Sequence, residues 1–140
     1  MDRISRRQRS ELMRRIVGDS LKPETLLKAA LRRSGARFDS NPKDLPGKPD
    51  IALRGRKLAV FVHGCFWHAC AAHYRAPKTN RQFWSRKIEA NAKRDSRAIR
   101  GLNRRGWATM TVWEHDVRRS PQDCARRVLT RLSRLPKAFL

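Results

Sequence analysis

The sequence predicts an α/β protein, a mixed central sheet flanked by helices. Three observations point there. Lys57 to Val62 is an almost continuous apolar run, the pattern of a central strand. Trp84 to Leu102 repeats its apolar positions at helical spacing. The patterns follow one another as helix, strand, hairpin, loop, long helix, strand and helix, an order that lays helices over one sheet.

Residues 1–18 hold six arginines and few apolar residues, so they read as a basic DNA-binding arm that could order on a phosphate backbone. Residues 19–140 read as a single domain, without a repeat or a flexible linker. Pro23, with Glu24 beside it, opens a helix whose Leu26, Leu27, Ala30 and Leu31 recur at helical spacing until Gly35. In that first turn the helix dipole favours the Glu24 charge whether or not it has another use. Arg37 to Asn41 is a short strand candidate. Pro42, Pro46, Gly47 and Pro49 stiffen the loop that brings Asp50 to the head of the next strand. Asp50 to Leu53 and Lys57 to His63 pair as a hairpin around Gly55.

Thr79, with Gln82 three residues on, has the form of a capping box for a long helix to about Arg105, closed by Gly106. On it Trp84, Ile88, Ala92, Asp95, Ile99 and Leu102 are expected to share one face. Asp95 is the only charge there and needs a partner, either an arginine for structure or a histidine for catalysis. Trp107 to Trp113 is the next strand. Ser120-Pro121-Gln122-Asp123 starts a last helix with Cys124, Val128, Leu132 and Leu135 on its apolar stripe, stopped at Pro136, and Cys124 reads as a core residue.

Thirty-four Lys and Arg against 12 Asp and Glu leave a net charge of +22, an excess best explained by a polyanionic partner, with nucleic acid in the lead over a merely solvated basic surface. No stretch of 18 apolar residues and no apolar segment behind a basic start is present, so a cytoplasmic, nucleoid-associated protein without a membrane is expected. Three cysteines in such a chain favour metal binding or free thiols over disulfides.

Asp50 at the start of the hairpin is what a metal-dependent nuclease would use to hold Mg²⁺ against a phosphate; the plain alternative is a turn residue after Pro49. His63 and His68 flank Gly64-Cys65-Phe66-Trp67, and either could be a general base, a zinc ligand or a polar residue at a strand end. Phe66 and Trp67, adjacent in a polar loop, could enter a base stack. Cys65, Cys70 and His73 have metal-ligand spacing, with His115 as the best fourth ligand of a structural zinc site. Cys124, Glu114, Asp116 or His68 could stand in for His115, and a metal-free reading stays open.

Four segments together resemble the very short patch repair (Vsr) endonucleases. They are Leu45-Pro-Gly-Lys-Pro-Asp50; Phe61-Val-His-Gly-Cys-Phe-Trp-His68; Pro77 to Trp84 with Lys87-Ile88, Asn91 and Arg94-Asp95; and Gly106-Trp107 through Val112-Trp-Glu114. The likeness runs in the same order from about Met13 to Val117. It implies a restriction-endonuclease-like fold and a Mg²⁺-dependent nickase, cutting 5′ of the thymine in a G·T mismatch left by deamination of 5-methylcytosine. By the same resemblance Asp50 and the main-chain carbonyl of Val62 bind Mg²⁺, His68 is the general base and His63 a helper at the phosphate. Asp95 orients a catalytic histidine, and Glu24 acts through metal-bound water. Phe66, Trp67 and Trp84 wedge beside the mismatch from the major groove, and Met13 inserts from the minor groove. The implied partners are duplex DNA, a mismatch-repair matchmaker, a repair polymerase and a DNA-cytosine methyltransferase. A monomer is expected, since one nick needs one active site. Two rivals are a nuclease of the same fold with another target, restriction-type or structure-specific, and a non-catalytic, zinc-stapled DNA-binding protein.

Overall fold

The computed structural model describes residues 21–64 and 80–137. Its elements are α1 (Pro23–Arg33), β1 (Asp39–Ser40), β2 (Ile51–Leu53), a 3-10 turn (Arg54–Arg56), β3 (Leu58–His63), α2 (Arg81–Arg104), β4 (Ala108–Trp113), α3 (Glu114–Arg119) and α4 (Pro121–Ser133). They form a four-stranded mixed sheet in the order β1-β2-β3-β4, flanked by helices. The pairs β1/β2 and β2/β3 are antiparallel, whereas β3 and β4 run parallel with His63 opposite Trp113.

Strand alternation gives the sheet two apolar faces. Ile51, Leu53, Leu58, Val60 and Val112 join Leu27 and Leu31 of α1, Val117 of α3, and Cys124 and Val128 of α4 in one cluster. Ala52, Ala59 and Phe61 point the other way, into a smaller cluster with Ala98 and Leu102 of α2, Leu45 and Trp107. The apolar run of β3 is thus covered on both sides. Each Leu or Ile shut fully from water here contributes roughly 1.5–3 kcal/mol.

Several boundaries differ from the sequence expectation. The strand expected over 37–41 is reduced to Asp39–Ser40. The hairpin turns around Gly55 as its pattern implies, in a 3-10 turn over Arg54–Arg56 followed by Lys57 in a left-handed conformation, φ 53°. α2 starts at Arg81 with Asn80 as its N-cap, in a left-handed conformation and without a side-chain cap bond. Thr79, expected as the cap, lies outside the described residues. On α2 the inward stripe runs through Trp84, Ile88, Asn91, Asp95, Ala98 and Leu102, and Ala92 is exposed. In the middle of the helix the inward place is thus taken by Asn91, one residue before the expected Ala92. Ser120 caps α4 as its pattern implies, accepting from the Asp123 N–H at 3.2 Å. The basic arm proposed for residues 1–18 lies outside the described residues.

Candidate active site

The loop before β2 is braced from several sides. Arg54 pairs with Asp39 and, through both terminal nitrogens, with Asp44 at 3.0 and 2.8 Å, and its guanidinium lies 6.0 Å from the Trp107 ring centre. The Arg54 hydrogen bonds hold the Asp44 carboxyl below its usual range. Gly47, with φ 75°, lets the loop lie against α2: a Cβ there would stand 2.1 Å from that of Ala98. The Asn41 N–H donates to the Asp50 carbonyl at 2.9 Å and the Asp50 N–H to the Val60 carbonyl at 3.0 Å, so Asp50 is fixed as β2 begins.

The half-buried Asp50 side chain reaches across to β3, where its Oδ2 accepts the Val62 N–H at 2.7 Å. Burial pushes its carboxyl above the ordinary value. The Val62 hydrogen bond opposes that shift, the Glu24 charge adds to it, and the Lys28 charge works against it. Glu24 and Lys28 stand one turn apart on α1. On the other face of the sheet, His63 ends β3. Its Nε2 lies 3.8 Å from Asp95 Oδ2 of α2, and its ring meets Trp113 edge-on at 5.4 Å and Phe61 at 6.1 Å. Val62 and His63 are neighbours on one strand, so the sheet presents the Asp50 contact and the His63–Asp95 pair at one strand end.

A hard divalent cation fits these donors. Two carboxylates, Asp50 and Glu24, are near enough to repel, and the charged form of Asp50 is disfavoured first by burial and then by the Glu24 charge. A cation there would relieve that repulsion. Asp50 and the Val62 carbonyl are the groups that would hold it, with Glu24 acting through its water.

The remaining expected residues fall in different places. His68, Cys65, Cys70, His73, Phe66, Trp67 and Met13 lie outside the described residues. His115 sits in the first turn of α3, with Nε2 3.5 Å from Asp116 Oδ1. The described residues contain no cluster of three or more metal-ligating side chains. β3 and β4 end side by side, with His63 opposite Trp113, and His115 follows two residues after the end of β4. Trp84 is half-buried in the first turn of α2, stacked edge-on against the exposed Phe83 at 5.1 Å. Cys124 is buried among apolar neighbours, which push its thiol up.

Sequence reasoning missed Lys28 and Asn41. Lys28 is buried, and its Nζ donates to Asn41 Oδ1 at 3.1 Å. The readable signal was spacing: Lys28 follows Glu24 by one turn and stands next to Leu27, on the side of α1 that faces the core. No helix among the described residues is long and apolar enough to cross a membrane.

Known proteins carry the same pattern. A family model described as DNA mismatch endonuclease Vsr matches residues 1–73. The type II nicking enzyme V.XorIIP of Xanthomonas oryzae pv. oryzae is 41% identical over 117 residues, spanning 83% of this chain and 86% of that protein. The type II nicking enzyme V.NmeDIP of Neisseria meningitidis serogroup C is 38% identical over 130 residues, 91% of this chain and 88% of its own length. The DNA mismatch endonuclease Vsr of Escherichia coli K12 is 36% identical over 111 residues, 79% of this chain and 71% of its own. With the Asp50 loop, the His63 strand and half of the sequence under one family description, this chain belongs to the Vsr family of DNA endonucleases.

Proposed function

We propose that this endonuclease nicks one strand of duplex DNA on the 5′ side of the thymine in a G·T mismatch, with Mg²⁺ at Asp50, and so initiates repair of deaminated 5-methylcytosine. The observation that carries the reading is the Asp50 carboxylate, fixed by the Val62 N–H and within reach of the Glu24 charge, at the strand end that also bears the His63–Asp95 pair. A bound Mg²⁺ supplies Lewis acidity to the phosphoryl oxygen and stabilises the leaving alkoxide. The protein's own groups do the rest. Asp50 and the Val62 carbonyl would hold the cation, and Glu24 would act on it through water. Asp95 orients His63 beside the scissile phosphate, and His68 takes the proton of the attacking water. Phe66, Trp67 and Trp84 wedge beside the mismatch, and Met13 enters the opposite groove. Zn²⁺ on Cys65, Cys70, His73 and His115 would staple the 65–79 segment to the end of β4; two thiolates and two imidazoles complete a tetrahedral set.

The relatives named as type II nicking enzymes favour a second reading, a nickase of the same chemistry with a different target. A strand-resolved assay separates them, using end-labelled duplexes that differ only in a G·T or a G·C pair, with Mg²⁺ or EDTA, for wild type and Asp50→Ala. The expected result is a Mg²⁺-dependent nick 5′ of the mismatched thymine that Asp50→Ala abolishes. Cleavage indifferent to the mismatch would discard the repair role. Binding without cleavage of any duplex would discard the enzyme reading of this site.

A further inference from the structure

Lys28 and His63 are the buried polar or charged residues among the described ones, at 7% and 9% exposure. Taking an ammonium out of water is costly unless acceptors or opposite charges compensate. Among the described residues Lys28 makes one hydrogen bond, to Asn41 Oδ1, which accounts for one of its three donors. Asn41 is itself fixed: it adopts a left-handed conformation, φ 50°, and its N–H is bonded to the Asp50 carbonyl. The ammonium is therefore tied to the same piece of chain that presents Asp50, and Glu24 precedes it by one turn of α1.

We propose that Lys28 is the fixed counter-charge of the site: held by Asn41, its ammonium offsets one of the two carboxylate charges of Glu24 and Asp50 and so sets how tightly the pair holds a divalent cation. The inference rests on the metal-dependent reading above. Two carboxylates, one ammonium, one divalent cation and one phosphodiester sum to zero. Without the ammonium the loaded site is net negative just as further negative charge develops on the phosphoryl oxygens, where preorganised positive charge is worth most. Lys28 thus weakens cation binding in the free protein and favours the loaded complex, acting as a positioning charge.

The test measures the Asp50-dependent part of Mn²⁺ binding by the full chain without DNA, by electron paramagnetic resonance of free Mn²⁺. Single-turnover nicking of a G·T duplex at saturating Mg²⁺ is measured beside it. Wild type, Lys28→Met, Lys28→Arg and Asp50→Ala are compared, with melting curves for each. Lys28→Met keeps the apolar stem, and the expected result is Mn²⁺ binding tightened about tenfold. Nicking slows by roughly 10- to 100-fold. A packing role would weaken both together. Lys28→Arg keeps the charge and is expected to bind Mn²⁺ like wild type. Unchanged or weaker Mn²⁺ binding by a folded Lys28→Met overturns the assignment, as does tightening that appears equally in Lys28→Arg. If Asp50→Ala binds Mn²⁺ and nicks like wild type, the metal reading itself falls. Loss in Asp50→Ala beside an unchanged Lys28→Met overturns Lys28 alone.

Discussion

Gly47→Ala tests how the loop that carries Asp50 is seated. Two separate costs arise. An alanine at φ 75° is strained by about 1 kcal/mol. Its Cβ would also stand 2.1 Å from the Ala98 Cβ on α2, and the shifts needed to relieve that contact cost about 2 kcal/mol. The variant is therefore expected to lose about 3 kcal/mol, and a chain of this length loses roughly 3–4 °C of melting temperature per kcal/mol, so the midpoint falls by about 10 °C. Ala98→Gly alone costs about 1 kcal/mol, the helix propensity difference. In the double variant the clash disappears while strain and propensity remain, leaving about 2 kcal/mol of destabilisation and a coupling of about 2 kcal/mol between the positions. Denaturant melts of the four proteins measure the cycle. Additive losses, with the double variant about 4 kcal/mol below wild type, would refute the contact as the reason for the glycine. Nicking at a temperature where all four are folded should fall for Gly47→Ala and recover in the double variant, because Asp50 follows the loop.

Three further outcomes are expected. Asp50 has a carboxyl raised above the ordinary value, so between that value and the folded one the native chain holds a proton that the unfolded chain has released, and stability declines as pH rises through that window. Asp50→Asn removes the decline: without metal it should melt above wild type at pH 7 and level with it in strong acid, and Mg²⁺ should raise the wild-type midpoint only; a lower midpoint at pH 7 in EDTA would refute this. Asp95→Asn should slow nicking roughly 10- to 100-fold with DNA affinity and melting temperature kept, since it acts through His63, and an unchanged single-turnover rate would show the pair to be structural. Ser120→Ala should cost about 1 kcal/mol in denaturant melts without touching the nicking rate, and Ser120→Thr should restore it.

Much of this architecture was legible because strong periodic patterns impose it. The β3 run could only be a strand covered on both faces, and Pro121 behind Ser120 marked the start of α4. What escaped was set by tertiary contact. α3, Glu114–Arg119, has too few residues for a period to show, and its place is fixed by Val117 entering the core. Whether Asn91 or Ala92 faces inward depends on where α2 meets the sheet, which spacing alone leaves a residue uncertain. For Asp95, the sequence required a partner without choosing between arginine and histidine; the fold sets it 3.8 Å from His63. Lys28 looked like one more cation in a chain of +22, and only its burial sets it apart.

The parallel pairing of β3 with β4 also times the enzyme's appearance during synthesis. His63 and its strand leave the ribosome well before Asp95, Trp113 and the strand that flanks them, and at roughly 5–20 residues per second the gap is a matter of seconds. During that interval the nascent chain carries its basic segments and Asp50 but lacks the helix and strand that complete the site. A chain truncated or stalled before β4 lacks the strand that pairs with β3 and the Trp113 ring that meets His63, so the site stays incomplete until the whole sheet has closed.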